Sequence, residues 1–165
     1  MPARPANQEK RHGCRRRRDP TQPTILAEGP FAGWTTWSNG ADPFESVIGP
    51  FCFRAEADGR ARCAFQPTTH HLNGGGTIHG GALMSFADFA LFAIAHNALR
   101  GDKAVTLTCN SEFVSAGNLD GIVEASGEVL RETRSLVFVR GLVTQGDRTL
   151  LAFSGTLKKI APLRE

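Results

Sequence analysis

The sequence predicts an α+β fold in which one antiparallel β-sheet wraps around a single long central helix. The run at 82–99 is rich in Ala, Leu and Phe and contains neither Pro nor Gly, which is typical of a buried helix. Four later segments alternate apolar and polar residues, as half-buried strands do. Two further strands flank a turn before the helix, so the order is two strands, one helix and four strands.

Each element follows from its own pattern. Residues 25–50 mix aromatic side chains with Gly, Ser and Asn, which predicts loop and a short helix. Strands at 51–57 and 60–66 flank Asp58-Gly59, a dipeptide that suits a two-residue hairpin turn. The four strands after the helix are predicted at 105–113, 122–130, 136–144 and 149–159.

The positive charge of the chain is concentrated at its N-terminus. A chain of 165 residues suffices for one domain but not for two. Residues 1–18 carry seven Lys and Arg against one Glu, a charge of +6, so the remaining residues sum to −3 within the net +3. We interpret residues 1–24 as a disordered basic tail and residues 25–165 as a single domain. A mildly acidic domain argues against nucleic acid as a partner.

Neither a disulfide framework nor a membrane span is expected. The four cysteines are scattered and form no CxxC pair, which is typical of free thiols in a reducing compartment. The longest apolar stretch, 82–95, is interrupted by Asp88 and is shorter than the roughly 20 residues that a bilayer requires. We therefore expect a cytoplasmic protein with no membrane partner.

Asp88 is the first candidate for a functional side chain. It is the only formally charged residue between Ala64 and Leu99, and it lies within the predicted buried helix. Burial of an ionised carboxylate is so unfavourable that such a group usually has hydrogen-bond partners, a shifted pKa or a functional role. The alternative is that Asp88 faces solvent or fixes a neighbouring loop.

A glycine-rich segment precedes the helix. A dinucleotide-binding pattern that begins at Gly74 requires glycine where His79 stands, and a Walker loop requires lysine where Gly81 stands. We therefore interpret the segment as a loop that ends at a helix N-terminus. The unpaired N–H groups of the first helical turn can donate hydrogen bonds to a polarised carbonyl oxygen. We expect Asn73, His79 and Asp88 to converge at this helix end.

The sequence predicts neither a metal site nor a covalent acyl-enzyme intermediate. His70, His71, His79 and Asp88 match no compact metal-ligand pattern, so we expect no metal and no cofactor. The chain contains no GxSxG motif, and no cysteine stands in an activating context, which argues against a serine or cysteine nucleophile.

The pattern Asn73-(x5)-His79-Gly80-Gly81, followed by Asp88 nine residues after the histidine, resembles one enzyme family. It is similar to the phenylacetate-pathway type of hotdog-fold acyl-CoA thioesterases, within the 4-hydroxybenzoyl-CoA thioesterase superfamily, over residues 50–160. The resemblance implies a hotdog fold and hydrolysis of an acyl-CoA thioester. It also implies a homodimer with shared active sites, paired into a homotetramer.

The resemblance further implies roles for five residues. Asp88 acts as general base or nucleophile, and the backbone N–H of Gly80 polarises the thioester carbonyl. His79 and Asn73 position the thioester and the attacking water, and the Thr106 hydroxyl contacts the carboxylate or the water. Each active site takes Asn73, His79 and Gly80 from one protomer and Asp88 from the other.

Other functions of the same fold remain open at this point, because a fold does not fix a reaction. A non-catalytic acyl-CoA-binding or sensing protein is one alternative, and a hydratase or dehydratase is another. An apolar acyl pocket is suggested by five aromatic residues. They are Phe86, Phe89, Phe92, Trp34 and Trp37.

Overall fold

The computed structural model describes residues 23–38 and 40–160, and it confirms the predicted α+β class. One eight-stranded antiparallel sheet, in the order β1-β2-β3-β4-β6-β7-β8-β5, curves around the long helix α2. The elements in chain order are β1 (Thr24–Ile25), β2 (Thr35–Thr36), α1 (Pro43–Ile48), β3 (Cys52–Ala55), β4 (Ala61–Phe65), a 3₁₀ turn (Thr69–His71), α2 (Gly80–Ile94), α3 (His96–Leu99), β5 (Ala104–Phe113), β6 (Val123–Glu132), β7 (Leu136–Gln145) and β8 (Arg148–Lys159).

The N-terminal part of the domain contains more strand than predicted. Residues 1–22 of the predicted tail lie outside the described residues. Thr24, the last residue assigned to that tail, pairs with Thr36 in the sheet. Strands of two residues carry no alternation that a sequence could show. The predicted short helix is α1, whose N-cap Asp42 accepts a 3.0 Å hydrogen bond from the N–H of Glu45.

The first hairpin has a longer loop than predicted. Glu56 donates its N–H to the carbonyl of Arg60 at 2.8 Å, which leaves the three residues 57–59 as the loop. The N–H of Gly59 also bonds to the carbonyl of Glu56 at 2.9 Å, and Gly59 has φ +80°. This geometry is a type I turn followed by a left-handed glycine, so Asp58-Gly59 marked the turn correctly but not its length.

The central helix begins two residues earlier than predicted. His79 is its N-cap, and the ring Nδ1 accepts the N–H of Gly81 at 2.8 Å, which allows Gly80 and Gly81 to form the first turn. The helix ends at Ile94, and the short α3 follows after Ala95. Arg100 and Gly101 then adopt positive φ angles of 51° and 83°, which stops helical structure.

The helix lies directly against the inner face of the sheet. Gly127, Gly141 and Gly155 lie on this face of β6, β7 and β8. A Cβ atom on Gly155 would lie 2.6 Å from the carbonyl oxygen of Thr108 and would collide with Leu91 of α2. The missing side chains therefore let the sheet backbone approach the helix closely.

Candidate active site

One stripe of α2 is not covered by the sheet. Residues on the other sides of the helix, such as Phe86 and Leu91, are fully buried in the core. Gly81 and Met84 are exposed, and Asp88 and Phe92 are partly buried. Their spacing of three and four residues places them on one face. The helix thus carries a single carboxylate in a partly open position.

Asp88 is held by the neighbouring strand β5. Thr106 donates a hydrogen bond of 2.7 Å from Oγ1 to Oδ1 of Asp88. Burial raises the pKa of Asp88, the hydrogen bond from Thr106 opposes this rise, and the charge of Asp42 adds to it. A carboxylate that is oriented by a hydroxyl and partly withdrawn from water can act as a base toward a bound water molecule.

The N-terminus of α2 presents two hydrogen-bond donors. The N–H of Gly80 donates to no acceptor among the described residues, as expected for the first turn of a helix. Nδ1 of the exposed His79 accepts a hydrogen bond, so in the neutral ring the proton resides on Nε2. Both groups can donate to an oxygen atom near the helix end.

Phe113 at the far end of β5 covers Gly80. A Cβ atom on Gly80 would lie 3.1 Å from Cε1 and Cζ of the Phe113 ring. Glycine therefore lets the aromatic ring lie over the first turn of the helix. The ring itself is half exposed.

Asn73 organises the glycine-rich loop. Its Oδ1 accepts the N–H groups of Gly75 at 2.8 Å and Thr77 at 3.2 Å, and its Nδ2 donates to the Thr77 hydroxyl at 2.9 Å. Gly76 has φ +78°, which the loop requires and which glycine tolerates. The Asn73 amide is therefore bound mainly within its own loop.

The predicted convergence of Asn73, His79 and Asp88 at one helix end does not occur within a single chain. Asp88 lies eight residues beyond Gly80 on α2. A rise of 1.5 Å per residue separates them by about 12 Å along the helix axis, which exceeds the reach of one thioester carbonyl and its attacking water. The donors at the start of α2 and the carboxylate near its middle therefore lie apart on the open stripe, and we call these two positions the half-sites.

Comparison with known proteins identifies the family. The sequence profile of the thioesterase superfamily matches residues 75–152. The chain is 32% identical to the acyl-coenzyme A thioesterase PaaI of Escherichia coli over 62% of this chain and 73% of the relative. It is 26% identical to acyl-coenzyme A thioesterase 13 of Homo sapiens over 58% of this chain and 68% of that one. The chain belongs to the thioesterase superfamily.

A solved structure supports the same assignment. A mutant of the phenylacetic acid degradation protein PaaI from Thermus thermophilus superposes with a TM-score of 0.62 at 32% identity, over 72% of this chain and 100% of that one. The predicted resemblance to hotdog-fold thioesterases is thereby confirmed, as is the prediction of an enzyme. The matched segment of the superfamily profile contains His79, Gly80, Asp88 and Thr106, and it begins after Asn73.

Three other residues considered in the sequence analysis pack away from the open stripe of this thioesterase. His71 is buried, and its Nε2 lies 2.8 Å from the carbonyl oxygen of Ile48. Trp34 lies under the guanidinium of Arg54, at 4.6 Å, in a cluster separate from the main core. Phe86 is completely buried. Trp34 and Phe86 therefore do not line the open stripe, which corrects part of the predicted acyl pocket.

One titratable group near Asp88 was not found from the sequence. Glu45 on α1 is partly buried, and burial raises its pKa to about 7, with further contributions from the charges of Asp42 and Asp88. The sequence contains no signal for this proximity, because Glu45 and Asp88 are far apart along the chain and no motif links them. Among the described residues, no helix is long and apolar enough to cross a membrane.

Proposed function

We propose that the protein hydrolyses acyl-CoA thioesters to a free acid and coenzyme A. The observation that carries this proposal is the Thr106–Asp88 hydrogen bond on the open stripe of a helix whose first N–H has no acceptor in the described part of the chain. A thioester carbonyl is already reactive, so one positioned base and one or two N–H donors suffice for hydrolysis. The substrate class is supported by relatives named as acyl-coenzyme A thioesterases.

We propose further that each active site is assembled from two protomers. Strand β5 lies at one edge of the sheet, and it exposes apolar side chains, among them Val105, Leu107 and Phe113. An exposed strand edge of this kind readily pairs with a second copy.

The two half-sites lie at opposite ends of β5, which makes this pairing productive. Thr106 contacts Asp88 at the first end, and Phe113 covers Gly80 at the second. Antiparallel pairing of two β5 strands about a point near Cys109 places Thr106 of one protomer beside Phe113 of its partner. Asp88 then faces the Gly80 and His79 donors of the other chain across a short gap. We also expect two such dimers to pair into a tetramer.

The mechanism follows from these placements. The N–H of Gly80 and the Nε2–H of His79 bind the thioester oxygen and stabilise the negative charge that develops on it. Asp88 of the other protomer takes a proton from water as the water oxygen attacks the carbonyl carbon, with Thr106 holding the carboxylate in place. The carbon–sulfur bond then breaks, and coenzyme A leaves as the thiolate. Asn73 maintains the loop that carries His79.

The acyl group contacts the ring of Phe92 on the open stripe. Phe92 lies one turn beyond Asp88 and is partly buried. Its ring favours an apolar acyl group. Trp37 and Phe89 pack against each other at 5.2 Å, and Phe89 is buried in the core.

Thiol release from a panel of aromatic, branched and medium-chain acyl-CoAs tests the function. We expect release by the wild-type protein and strong loss in Asp88→Asn. Binding of acyl-CoA without thiol release would instead indicate a sensing protein. Hydration of an enoyl-CoA without thiol release would indicate a hydratase. Either result would overturn the proposed hydrolysis.

A further inference from the structure

The lysines and arginines of the described chain are not evenly paired with acidic residues. Eleven of them lie within residues 23–38 and 40–160, and six of these form ion pairs with Asp or Glu. The five exposed side chains that have no such partner in these residues are Lys103, Arg131, Arg134, Arg148 and Lys158. All except Arg148 lie at one end of the sheet, so unpaired positive charge is concentrated there.

Backbone contacts bring three of these residues together. Lys103 immediately precedes β5, and its carbonyl accepts the N–H of Ile160, two residues after Lys158, at 2.7 Å. Arg134 lies in the turn between β6 and β7, two residues before Leu136, which pairs with Lys158 on β8. The start of β5, the end of β8 and this turn therefore meet at one edge. We call Lys103, Arg134 and Lys158 the basic cluster.

The surroundings of the basic cluster are strongly positive for this chain. Six Lys and Arg against two acidic residues, a charge of +4, are found within residues 100–103, 131–134 and 158–159. Residues 19–165 as a whole sum to −3. The two acidic residues, Asp102 and Glu132, both form ion pairs with Lys159 and with no residue of the basic cluster. A local excess of positive charge of this kind attracts ligands that carry several negative charges.

The basic cluster lies beside the Asp88 half-site of the same protomer. Thr106 donates its hydroxyl to Asp88 and pairs with Leu157 on β8. The next residue of β8 is Lys158. Lys103 lies three residues before Thr106, a distance of about 10 Å along an extended strand. A ligand that reacts at Asp88 can therefore reach the cluster through a flexible arm.

An acyl-CoA molecule has this arrangement of charge. Its thioester is uncharged, and its diphosphate and 3′-phosphate groups lie on the adenosine end, beyond the pantetheine arm. Ammonium and guanidinium groups form charge-assisted hydrogen bonds with phosphate oxygens, and the planar guanidinium can bind two oxygens at once.

We propose that the basic cluster binds the phosphate groups of the coenzyme A part of the substrate while the thioester lies at Asp88. The inference rests on the proposed hydrolysis of acyl-CoA and names the part of the substrate that the protein recognises besides the acyl group. The protein should accordingly hydrolyse an acyl-CoA in preference to the same acyl group on pantetheine, which carries no phosphate.

Paired thioesters of one acyl group, on coenzyme A and on pantetheine, test the cluster. In Lys103→Gln/Lys158→Gln, KM for the coenzyme A ester should rise about tenfold with kcat unchanged, since charge-assisted binding far from the reacting atoms is lost. The kinetics of the pantetheine ester should stay as in the wild type. Arg148→Gln removes the remaining unpaired cation, at the opposite end of β8, and should change neither substrate.

The two substrates separate the inference from the proposed function. An unchanged KM for the coenzyme A ester in the double variant, or an equal loss with both esters, would overturn the phosphate site. So would equal hydrolysis of both esters by the wild type, although thiol release would still support the proposed function.

Binding of adenosine 3′,5′-bisphosphate requires no activity. This fragment carries the 3′-phosphate of coenzyme A but no thioester, and calorimetry measures its affinity directly. We expect the wild type and Arg148→Gln to bind it equally, with an affinity that falls as salt screens the charges. The double variant should bind it about tenfold more weakly. Equal affinity in the double variant, or no binding by the wild type, would overturn the phosphate site even if no thioester were hydrolysed.

Discussion

Thr106 on the edge strand β5 donates its hydroxyl to Oδ1 of Asp88 at 2.7 Å. Two opposed effects act on this carboxyl group, since burial raises its pKa and the hydrogen bond lowers it. The threonine therefore orients the Asp88 carboxyl group and also keeps it ionised at lower pH than burial alone would permit.

Thr106→Val should shift the pH dependence of hydrolysis. Valine has a similar shape but cannot donate, so the pKa of Asp88 should rise and the acidic limb of kcat/KM should move to higher pH. Thr106→Ser retains the donor and should keep the limb in place. The limb is measured by thiol release across pH, and a shift to lower pH in Thr106→Val would contradict the assignment.

Asp88→Asn should reduce turnover by about a hundredfold or more, because the base is lost while the side-chain shape is kept. A carboxyl group with a raised folded-state pKa destabilises the fold as pH rises through that pKa. The asparagine variant should therefore have an equal or higher melting temperature than the wild type at pH 7. Asp147→Asn in an exposed turn is the matched control. Near-normal thiol release from Asp88→Asn would exclude Asp88 as the base.

Mixed dimers should regain activity that neither parent chain has. When Asp88→Asn and Asn73→Ala chains are coexpressed, a mixed dimer contains one site with both lesions and one with neither. Random pairing makes about half the dimers mixed, so activity near one-quarter of wild type should return. Each variant expressed alone is the control. Activity that stays at the parental level would show that the site is built within one chain.

Gly155→Ala should destabilise the fold by about 1–3 kcal/mol, since the added methyl collides with Leu91 and with a backbone carbonyl that cannot move aside. Gly74→Ala is a suitable control, because a Cβ there meets nothing within 4 Å. Urea unfolding at equal protein concentration measures both variants. Equal urea midpoints for Gly155→Ala and the control would show that the sheet accommodates the extra methyl group.

Removal of residues 1–22 should leave both melting temperature and turnover unchanged. Every described strand and every candidate site residue lies after the removed segment. Calorimetry and thiol release on the shortened chain measure the two quantities. A large loss of either would assign the N-terminal residues a part in folding or catalysis.

The sequence predicted the long elements of the fold because their patterns are extended. Strands of ten or more residues show clear alternation, and the helix shows a continuous apolar run. The short strands β1 and β2 were missed because pairing of two residues depends on the neighbouring strand β3 and not on their own composition. The early start of α2 depends on the His79 cap, which propensity alone does not reveal, since glycine normally disfavours helix.

The sequence singled out residues of the candidate site but not their local contacts. Asp88 stood out as the only charged residue in the predicted helix, and His79 and Gly80 stood just before its predicted start. The sequence could not show that Asn73 bonds within its own loop, because three hydrogen bonds to Gly75 and Thr77 depend on the loop conformation. Nor could it place Glu45 near Asp88, because that proximity arises from packing of distant segments.

The glycines at 127, 141 and 155 influence how the substrate range of the protein can change through mutation. Because the sheet backbone at Gly127 and Gly155 lies against Ile94 and Leu91, any shift of the helix that carries Asp88 would disturb this packing. The helix α1 has no fully buried residue, and Phe44 and Val47 on it are exposed. Changes in substrate range should therefore accumulate around α1, where exposed side chains can vary without disturbing the packing of α2.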